Sequence, residues 1–217
     1  KGKRTVTAVN NINFFLYRGE CLGIIGESGC GKTTAVNMIT RLLEPTEGAI
    51  MFEGRDITHL KGRSLRNIYK KMQMVFQSPI ESFDPRCTLG DGIAESLRNN
   101  GLNRRESAFE VAKLLEKCGL SDSFAKKYPH EVSGGQCQRA AIARALAINP
   151  SLLICDEATS ELDVTIQKEI IELLDQLRES GRKKLSILFI CHDLALVQNF
   201  CDRVLVMHEG MIVEQGI

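Results

Sequence analysis

Nine consecutive residues, Gly26-Glu27-Ser28-Gly29-Cys30-Gly31-Lys32-Thr33-Thr34, have the spacing G-x-x-x-x-G-K-[ST] and can cradle phosphate. The glycines let the backbone curl until successive N–H groups face inward, and a helix starting at the end of the loop adds partial positive charge. Lys32 is placed to reach the outer phosphates, Thr33 to put its hydroxyl on a divalent cation, and Thr34 to meet a phosphate nearer the sugar. The apolar run Cys21–Ile25 before the loop predicts a buried strand, and Ala35–Ile39 after it a helix, the context such a loop needs. Cys30 lies inside the loop, where positive potential is expected to lower its pKa and make a reactive thiol. For native function a passive loop residue is the preferred reading.

A second constellation is Leu152-Leu153-Ile154-Cys155 followed by Asp156-Glu157. A carboxylate at the C-terminal end of a buried strand, beside the strand of the phosphate loop, can hold Mg²⁺ through water. That role fits Asp156, while Glu157 projects one residue farther and could polarise an attacking water. The rival, an acidic surface turn, explains neither the apolar strand nor the glycine loop. A third stretch, Val132-Ser133-Gly134-Gly135-Gln136, precedes a helix and offers a second anion-binding helix start. Alone it would be a plain turn. About a hundred residues from the first cradle, it makes sense if it caps a nucleotide held by another subunit.

The elements that must position these residues are legible from periodicity. Residues 5–17 are rich in β-formers, with Arg18-Gly19 as a turn into the strand of the phosphate loop. The helix after the loop is expected to end near Leu43, with Pro45 and Gly48 as stops. Gly48–Phe52 reads as a strand, Glu53-Gly54 as its turn, and Met72–Phe76 as a short buried strand leading to Gln77. From Gln77 to about Pro150 the pattern is helical. Asn103 and Glu106 form a capping box, and Phe109, Val111, Ala112, Leu115 and Cys118 mark an apolar face ended by Gly119. A strong helix spans Gln136–Ala147. Ile166, Ile170, Leu173, Leu174 and Leu177 give an amphipathic helix closed by Gly181, with Arg182-Lys183-Lys184 just beyond. Leu185–Cys191 is a further strand, and Val204–Met207 with Met211–Val213 form a terminal hairpin around Glu209-Gly210. Strands alternating with helices indicate a mainly parallel sheet with helices on both faces.

Bulk properties narrow the class. The 217 residues suffice for one large α/β domain with an inserted lobe, and a net charge of +1 gives no global pull toward nucleic acid or acidic lipid. The basic stretch Lys61–Lys71 is then a solvated face. No apolar run is long enough to cross a bilayer, no secretory signal is visible, and Lys1 in place of Met suggests a trimmed chain. The eight cysteines include no C-x-x-C pair, and Cys21, Cys155 and Cys191 lie in apolar strand-like runs. That pattern points to a reducing cytosol rather than disulfides or zinc.

Taken in order, these motifs resemble those of the ATP-binding subunit of an ABC transporter, over essentially the whole chain. Gly26–Thr34 is similar to the Walker A motif, Leu152–Glu157 to Walker B, and Val132–Gln136 to the LSGGQ signature with Val in place of Leu. Gln77 resembles the Q-loop residue, Ser160-Glu161-Leu162-Asp163 the D-loop (usually S-A-L-D), and His192 in Cys191-His192-Asp193 the switch histidine. The resemblance implies an α/β fold: a P-loop NTPase core with a mainly parallel sheet, an N-terminal antiparallel β-subdomain and an inserted α-helical subdomain. It implies one domain over 1–217, with 1–85 and 149–217 as core and about 86–148 as the helical signature subdomain. Two such subunits would sandwich two ATP molecules, each between the Lys32 loop of one and the Ser133 turn of the other. The implied nucleotide contacts are Gly26 to Thr34, Asp156, Ser133, Gly134, Gly135, Gln136 and Asp163; the implied Mg²⁺ ligands are Thr33, Gln77 and Asp156. Glu157 would orient the water and His192 would contact the γ-phosphate, with Gln77 and Lys32 completing the catalytic set. Residues 77 to about 100 are expected to face the membrane partner. Glu161 adds a carboxylate near the dimer interface, and Cys137 is expected on the helix rather than on phosphate. No aromatic residue precedes Phe14, so the family's adenine-stacking aromatic is expected upstream of Lys1 or missing.

The stretch Gln77-Ser78-Pro79-Ile80-Glu81-Ser82-Phe83-Asp84-Pro85-Arg86, with Gly90-Asp91 and Ala94-Glu95 after it, resembles the oligopeptide, dipeptide and nickel importer branch. Members of that branch usually continue past the terminal hairpin. The branch implies a motor subunit peripheral to the cytoplasmic face of the membrane. Its partners would be transmembrane permease subunits, a second identical or homologous ATPase and, indirectly, an extracytoplasmic solute-binding protein. The alternative is a soluble ABC-type ATPase acting on nucleic acid or the ribosome. The absence of heptads, of C-x-x-C pairs and of a second such domain speaks against it, and no nucleic-acid partner is expected. A regulatory module without turnover is disfavoured by the presence of Glu157 and His192.

Overall fold

The apolar runs that flank the chemistry become the strands of one twisted sheet. In the computed structural model, which describes residues 7–180 and 184–217, the strands are β1 (Cys21–Gly26), β2 (Met51–Phe52), β3 (Arg55–Asp56), β4 (Met72–Val75), β5 (Leu152–Asp156), β6 (Ser186–Ile190), β7 (Arg203–His208) and β8 (Met211–Gly216). The helices are α1 (Lys32–Ile39), α2 (Gly62–Tyr69), α3 (Leu89–Asn99), α4 (Arg104–Lys117), α5 (Gly134–Leu146), α6 (Val164–Ser180) and α7 (Leu194–Phe200). The main sheet has the order β4-β5-β6-β1-β7-β8, and β2 and β3 form a separate antiparallel pair. Pairing is parallel from β4 to β7, and β8 returns antiparallel on β7.

Alternate residues of the central strands feed two cores. Cys21 of β1, Leu153 and Cys155 of β5, and Ile187 and Phe189 of β6 face one cluster, packed by α3 to α7. Leu22, Ile24, Leu152, Ile154, Leu188 and Ile190 face the other, closed by α1, α2 and the segment Val9–Leu16. Burial on both faces is why these strands read as unbroken apolar runs. Between β4 and β5 the chain builds a helical lobe from α3, α4, α5 and two short 3₁₀ turns, Asp122–Lys126 and Pro129–Glu131. Among the described residues, no helix is long and apolar enough to cross a membrane.

Several expectations need correction. The strand of Asp156 does not adjoin that of the phosphate loop: β6 lies between them, with Leu188 registered against both Leu22 and Ile154. Asp156, His192 and the glycine loop thus sit at the carboxyl ends of three neighbouring parallel strands. Residues 7–17 form no strand. They alternate, with Ile12, Phe14 and Leu16 turned inward and their neighbours exposed, but Asn11 at φ 48° breaks the extended path and no ladder forms. Likewise Gly48 at φ 93° shortens the next strand to Met51–Phe52. The helix after the loop stops at Ile39, because Thr40 Oγ1 donates back to the Val36 carbonyl at 2.9 Å and Arg41 turns left-handed at φ 61°. Phe109 leaves the apolar face of α4: Val111, Leu115 and Cys118 are buried, whereas Phe109 is 61% exposed beneath the Lys113 ammonium. Two residues from Val111, it lies on the opposite side of the helix. The expected stop at Gly181 and the cations Arg182 and Lys183 fall outside the described residues.

Candidate active site

Two glycines of the loop are required by close backbone approach. A Cβ on Gly26 would stand 2.3 Å from the Met207 carbonyl oxygen, and one on Gly31 would stand 2.4 Å from the Ala8 carbonyl oxygen. Gly31 also sits at φ 107°, and as N-cap of α1 it supplies no side-chain cap, so the first amides of α1 remain available to an anion. Cys30 is buried, with its thiol 4.0 Å from the Lys32 ammonium, and its carbonyl accepts from Gly210 N–H at 2.8 Å. Glu27, Ser28, Gly29 and Thr33 are exposed, and Thr34 is half-buried.

Lys32 is only 4% exposed. Its ammonium donates to the carbonyls of Gly26 at 2.7 Å and Glu27 at 2.9 Å, and lies 3.8 Å from Glu157 Oε1. The lysine is thus folded onto its own loop and paired with the carboxylate expected to orient water. Glu157 follows β5 directly and sits in the left-handed region at φ 49°. Its N–H donates to the Ile190 carbonyl at 3.1 Å, and its own carbonyl accepts from Ser160 Oγ at 2.9 Å. Strain of this kind persists where the surroundings over-determine it, and it redirects the side chain after the strand.

Asp156 is 7% exposed, and its Oδ1 has no hydrogen-bond partner. Burial first, then the Glu157 carboxylate, push its pKa up to about 6, while Lys32 pulls it down. Asp156 lines a cavity of about 520 Å³ together with Phe76, Gln77, Ser78, Glu81, Ser82 and Glu161. An orphaned carboxylate oxygen, on a residue that lines a chamber with an amide and two hydroxyls, suits a hard, oxygen-seeking cation. Among the described residues no group of three or more His, Cys, Asp or Glu side chains could hold an ion alone. A magnesium ion here would therefore depend on phosphate oxygens and water for most of its shell. Magnesium thus fits the residues present.

Ser133 and Gln136 form a reciprocal capping box at the start of α5, with Gln136 N–H on Ser133 Oγ at 3.3 Å and Ser133 N–H on Gln136 Oε1 at 3.0 Å. Ser133 is exposed, Gly134 and Gln136 are half-buried, Gly135 is packed on Ile166, and Cys137 is buried on the helix. This turn does not line the cavity beside Asp156. Asp163 is exposed and caps α6 through Ile166 N–H at 3.1 Å. His192 is exposed at the end of β6. The single chain thus gathers Lys32, Asp156, Glu157 and Gln77, and leaves Ser133 to Gln136 outside that cluster. The cavity walls Glu81 and Ser82 were not singled out as site residues from sequence; their nearness to Gln77 was the available signal.

Residues 9–160 match the family described as ABC transporter. The chain is 46% identical over 216 residues to the oligopeptide transport ATP-binding protein OppF of Salmonella typhimurium, covering 98% of this chain and 64% of that protein. It is 49% identical over 211 residues to the oligopeptide transport ATP-binding protein AppF of Bacillus subtilis, covering 96% and 64% respectively. It is 47% identical over 215 residues to the glutathione import ATP-binding protein GsiA of Pectobacterium atrosepticum, covering 98% and 34%. The chain therefore spans about two thirds or less of the length of these relatives. Among solved structures, a dimeric ATP-binding cassette in a post-hydrolysis state with ADP and Pi superposes with TM-score 0.89 at 30% identity, covering 100% of this chain and 93% of that one. The cbiO1 protein of Clostridium perfringens, part of an ABC transporter complex, superposes with TM-score 0.86 at 30% identity, covering 96% and 81%. With motif order, sheet topology and sequence identity in agreement over nearly its whole length, the chain belongs to the ABC transporter family.

Proposed function

We propose that this chain is the ATP-hydrolysing motor of an importer for peptides or related small solutes, acting as one of two cassettes at the cytoplasmic face of the membrane. The observation that carries the reading is the convergence of Lys32 on the glycine loop and on Glu157, with the ammonium 3.8 Å from Oε1. An ammonium that satisfies itself on two neutral carbonyls can exchange them for phosphate oxygens, because charge-assisted bonds are stronger. That exchange would draw Lys32 toward the triphosphate and loosen its hold on Glu157. Glu157, already aimed by its left-handed backbone, would then orient and accept a proton from the attacking water. The uncapped amides of α1 would take the inner phosphates, with Ser28 and Thr34 beside them. Thr33, Gln77 and Asp156 would hold magnesium, which offsets phosphate charge when bound. His192 would contact the γ-phosphate from the end of β6.

The Ser133 to Gln136 turn lies outside this cluster, as a cradle for nucleotide held by a second cassette would. The nucleotide would then lie between two chains, and Asp163 would face the same seam. The core would comprise 1–85 and 149–217, the helical lobe about 86–148 would carry the signature, and residues 77 to about 100 would face the permease. Relatives named for oligopeptide transport and glutathione import support a peptide-like solute. Permease subunits, a second ATPase and an indirectly engaged solute-binding protein follow from that role.

Two measurements test the reading. Glu157→Gln should keep ATP binding, lose roughly a hundredfold or more in turnover and accumulate an ATP-bound dimer by light scattering. Normal steady-state hydrolysis overturns the role of Glu157. A pull-down of tagged full-length protein from native membranes should recover multi-span permeases and a solute-binding protein. Recovery of ribosomes or DNA-repair proteins without a permease overturns the transport role and leaves the ATPase chemistry standing.

A further inference from the structure

Arg144 lies near the end of α5, 11 residues beyond the Ser133 cap, and reaches across to the segment that follows Gln77. One guanidinium nitrogen, Nη2, donates to Ser82 Oγ at 2.9 Å, the other, Nη1, to the Ser82 carbonyl, and Cζ stands 4.2 Å from the centre of the Phe83 ring. Ser82 Oγ also bonds the Pro79 carbonyl at 2.7 Å, which closes the turn between Gln77 and Phe83. Phe83 is 4% exposed and packs so tightly on α3 that a Cβ on Gly92 would come within 2.8 Å of its ring. Ser82 itself lines the cavity that Gln77 and Asp156 also line.

This use of an arginine is costly. The side chain is partly buried and, among the described residues, forms no ion pair; burial lowers its pKa, opposed at a distance by Cys137 and then Glu95. An apolar residue would fill the same space without the desolvation penalty. What the guanidinium adds is a fixed fork, two donors on one residue and a flat face on the next. We propose that Arg144 is a positioning residue for hydrolysis: it locks Ser82, and through it the segment carrying Gln77, to the helix that begins at Ser133. The proposal rests on the role assigned above to Gln77. On one side Gln77 is fixed by β4, paired with β5; on the other it is fixed by this clamp. Loosening the clamp moves Gln77 and leaves the glycine loop in place, so turnover falls and ATP affinity does not.

The test is a cycle on the full-length protein with Arg144→Met, Gln77→Ala and the double variant, reading kcat and KM for ATP. Arg144→Met should lower kcat by about tenfold or more with KM within about twofold, the scale expected for a misplaced group. Arg144→Lys, which keeps the charge and one donor nitrogen without the fork, should restore part of the loss. The double variant should be no slower than Gln77→Ala alone, because both changes remove one function. Unchanged kcat in Arg144→Met beside an impaired Gln77→Ala, or losses that multiply in the double variant, overturns the clamp alone. Unchanged kcat in Gln77→Ala overturns the role of Gln77 and the clamp with it. Should Arg144→Met fail to fold, Ser82→Ala removes one acceptor from the same contact and is held to the same split between kcat and KM.

Discussion

At the scale of single residues, the site stores its cost in Asp156. Its folded pKa of about 6 lies above its ordinary value of 3.8, so the folded chain holds a proton that the unfolded chain has already released. The stability this group contributes is complete below about pH 4 and is lost as pH rises through about 6. Asp156→Asn cannot ionise and escapes the loss. Without nucleotide or magnesium it should be more stable than the parent by about 3 kcal/mol at pH 7.5, and the gap should close near pH 4. Urea denaturation at the two pH values checks this; a gap that does not change with pH assigns the effect to packing. Lys32 shows the complementary situation, a buried cation whose loop carbonyls and Glu157 replace its water. Both residues were legible as candidates because their motifs are contiguous: a glycine loop and an acidic pair each lie within nine residues. Arg144 and Ser82 were not, since 62 residues separate them and neither type signals a partner at that distance.

At the scale of elements, what decides the phosphate loop is how closely other backbone approaches it. Gly29 and Gly31 both occupy positive φ, at 82° and 107°, but a Cβ on Gly29 meets nothing within 4 Å, whereas one on Gly31 meets the Ala8 carbonyl at 2.4 Å. Gly29→Ala should therefore cost only the backbone term, about 1 kcal/mol, and Gly31→Ala should cost about 3 kcal/mol or more. Chemical denaturation of the two variants separates them; equal costs would show that the Ala8 segment yields. Sequence spacing located the loop and its helix, and it located the capping box at Asn103, where Glu106 Oε2 accepts from Asn103 N–H at 2.9 Å. It placed the end of α1 too late because Thr40 and Arg41 carry no helix-breaking signature; their back-bonding and left-handed turn arise from the tertiary position of Arg41, whose Nε donates to the Ile57 carbonyl at 3.1 Å. Phe109 misled for a related reason, since an aromatic within an apolar run can serve a surface contact with Lys113.

At the scale of the whole molecule, alternation of strands and helices announced a parallel sheet, but not its order. Nothing in the apolar runs says that β6 inserts between β1 and β5, because all three are buried on both faces and could exchange places by composition. That order has a consequence for motion. β6 is hydrogen-bonded on both edges and leads to His192, whereas β4 is bonded on one edge only and leads to Gln77. Amide hydrogen exchange should register the difference, with β6 protected roughly tenfold or more above the outer amides of β4, as expected when a central strand opens only with the whole domain and an edge strand opens locally. Equal protection would mean that α5 seals the edge of β4. With β6 so anchored, His192 is carried by a strand held on both edges, outside the lining of the cavity beside Asp156. Gln77 lies at the sheet's edge, where the grip of Arg144 on Ser82 supplies the second support that a neighbouring strand supplies to β6.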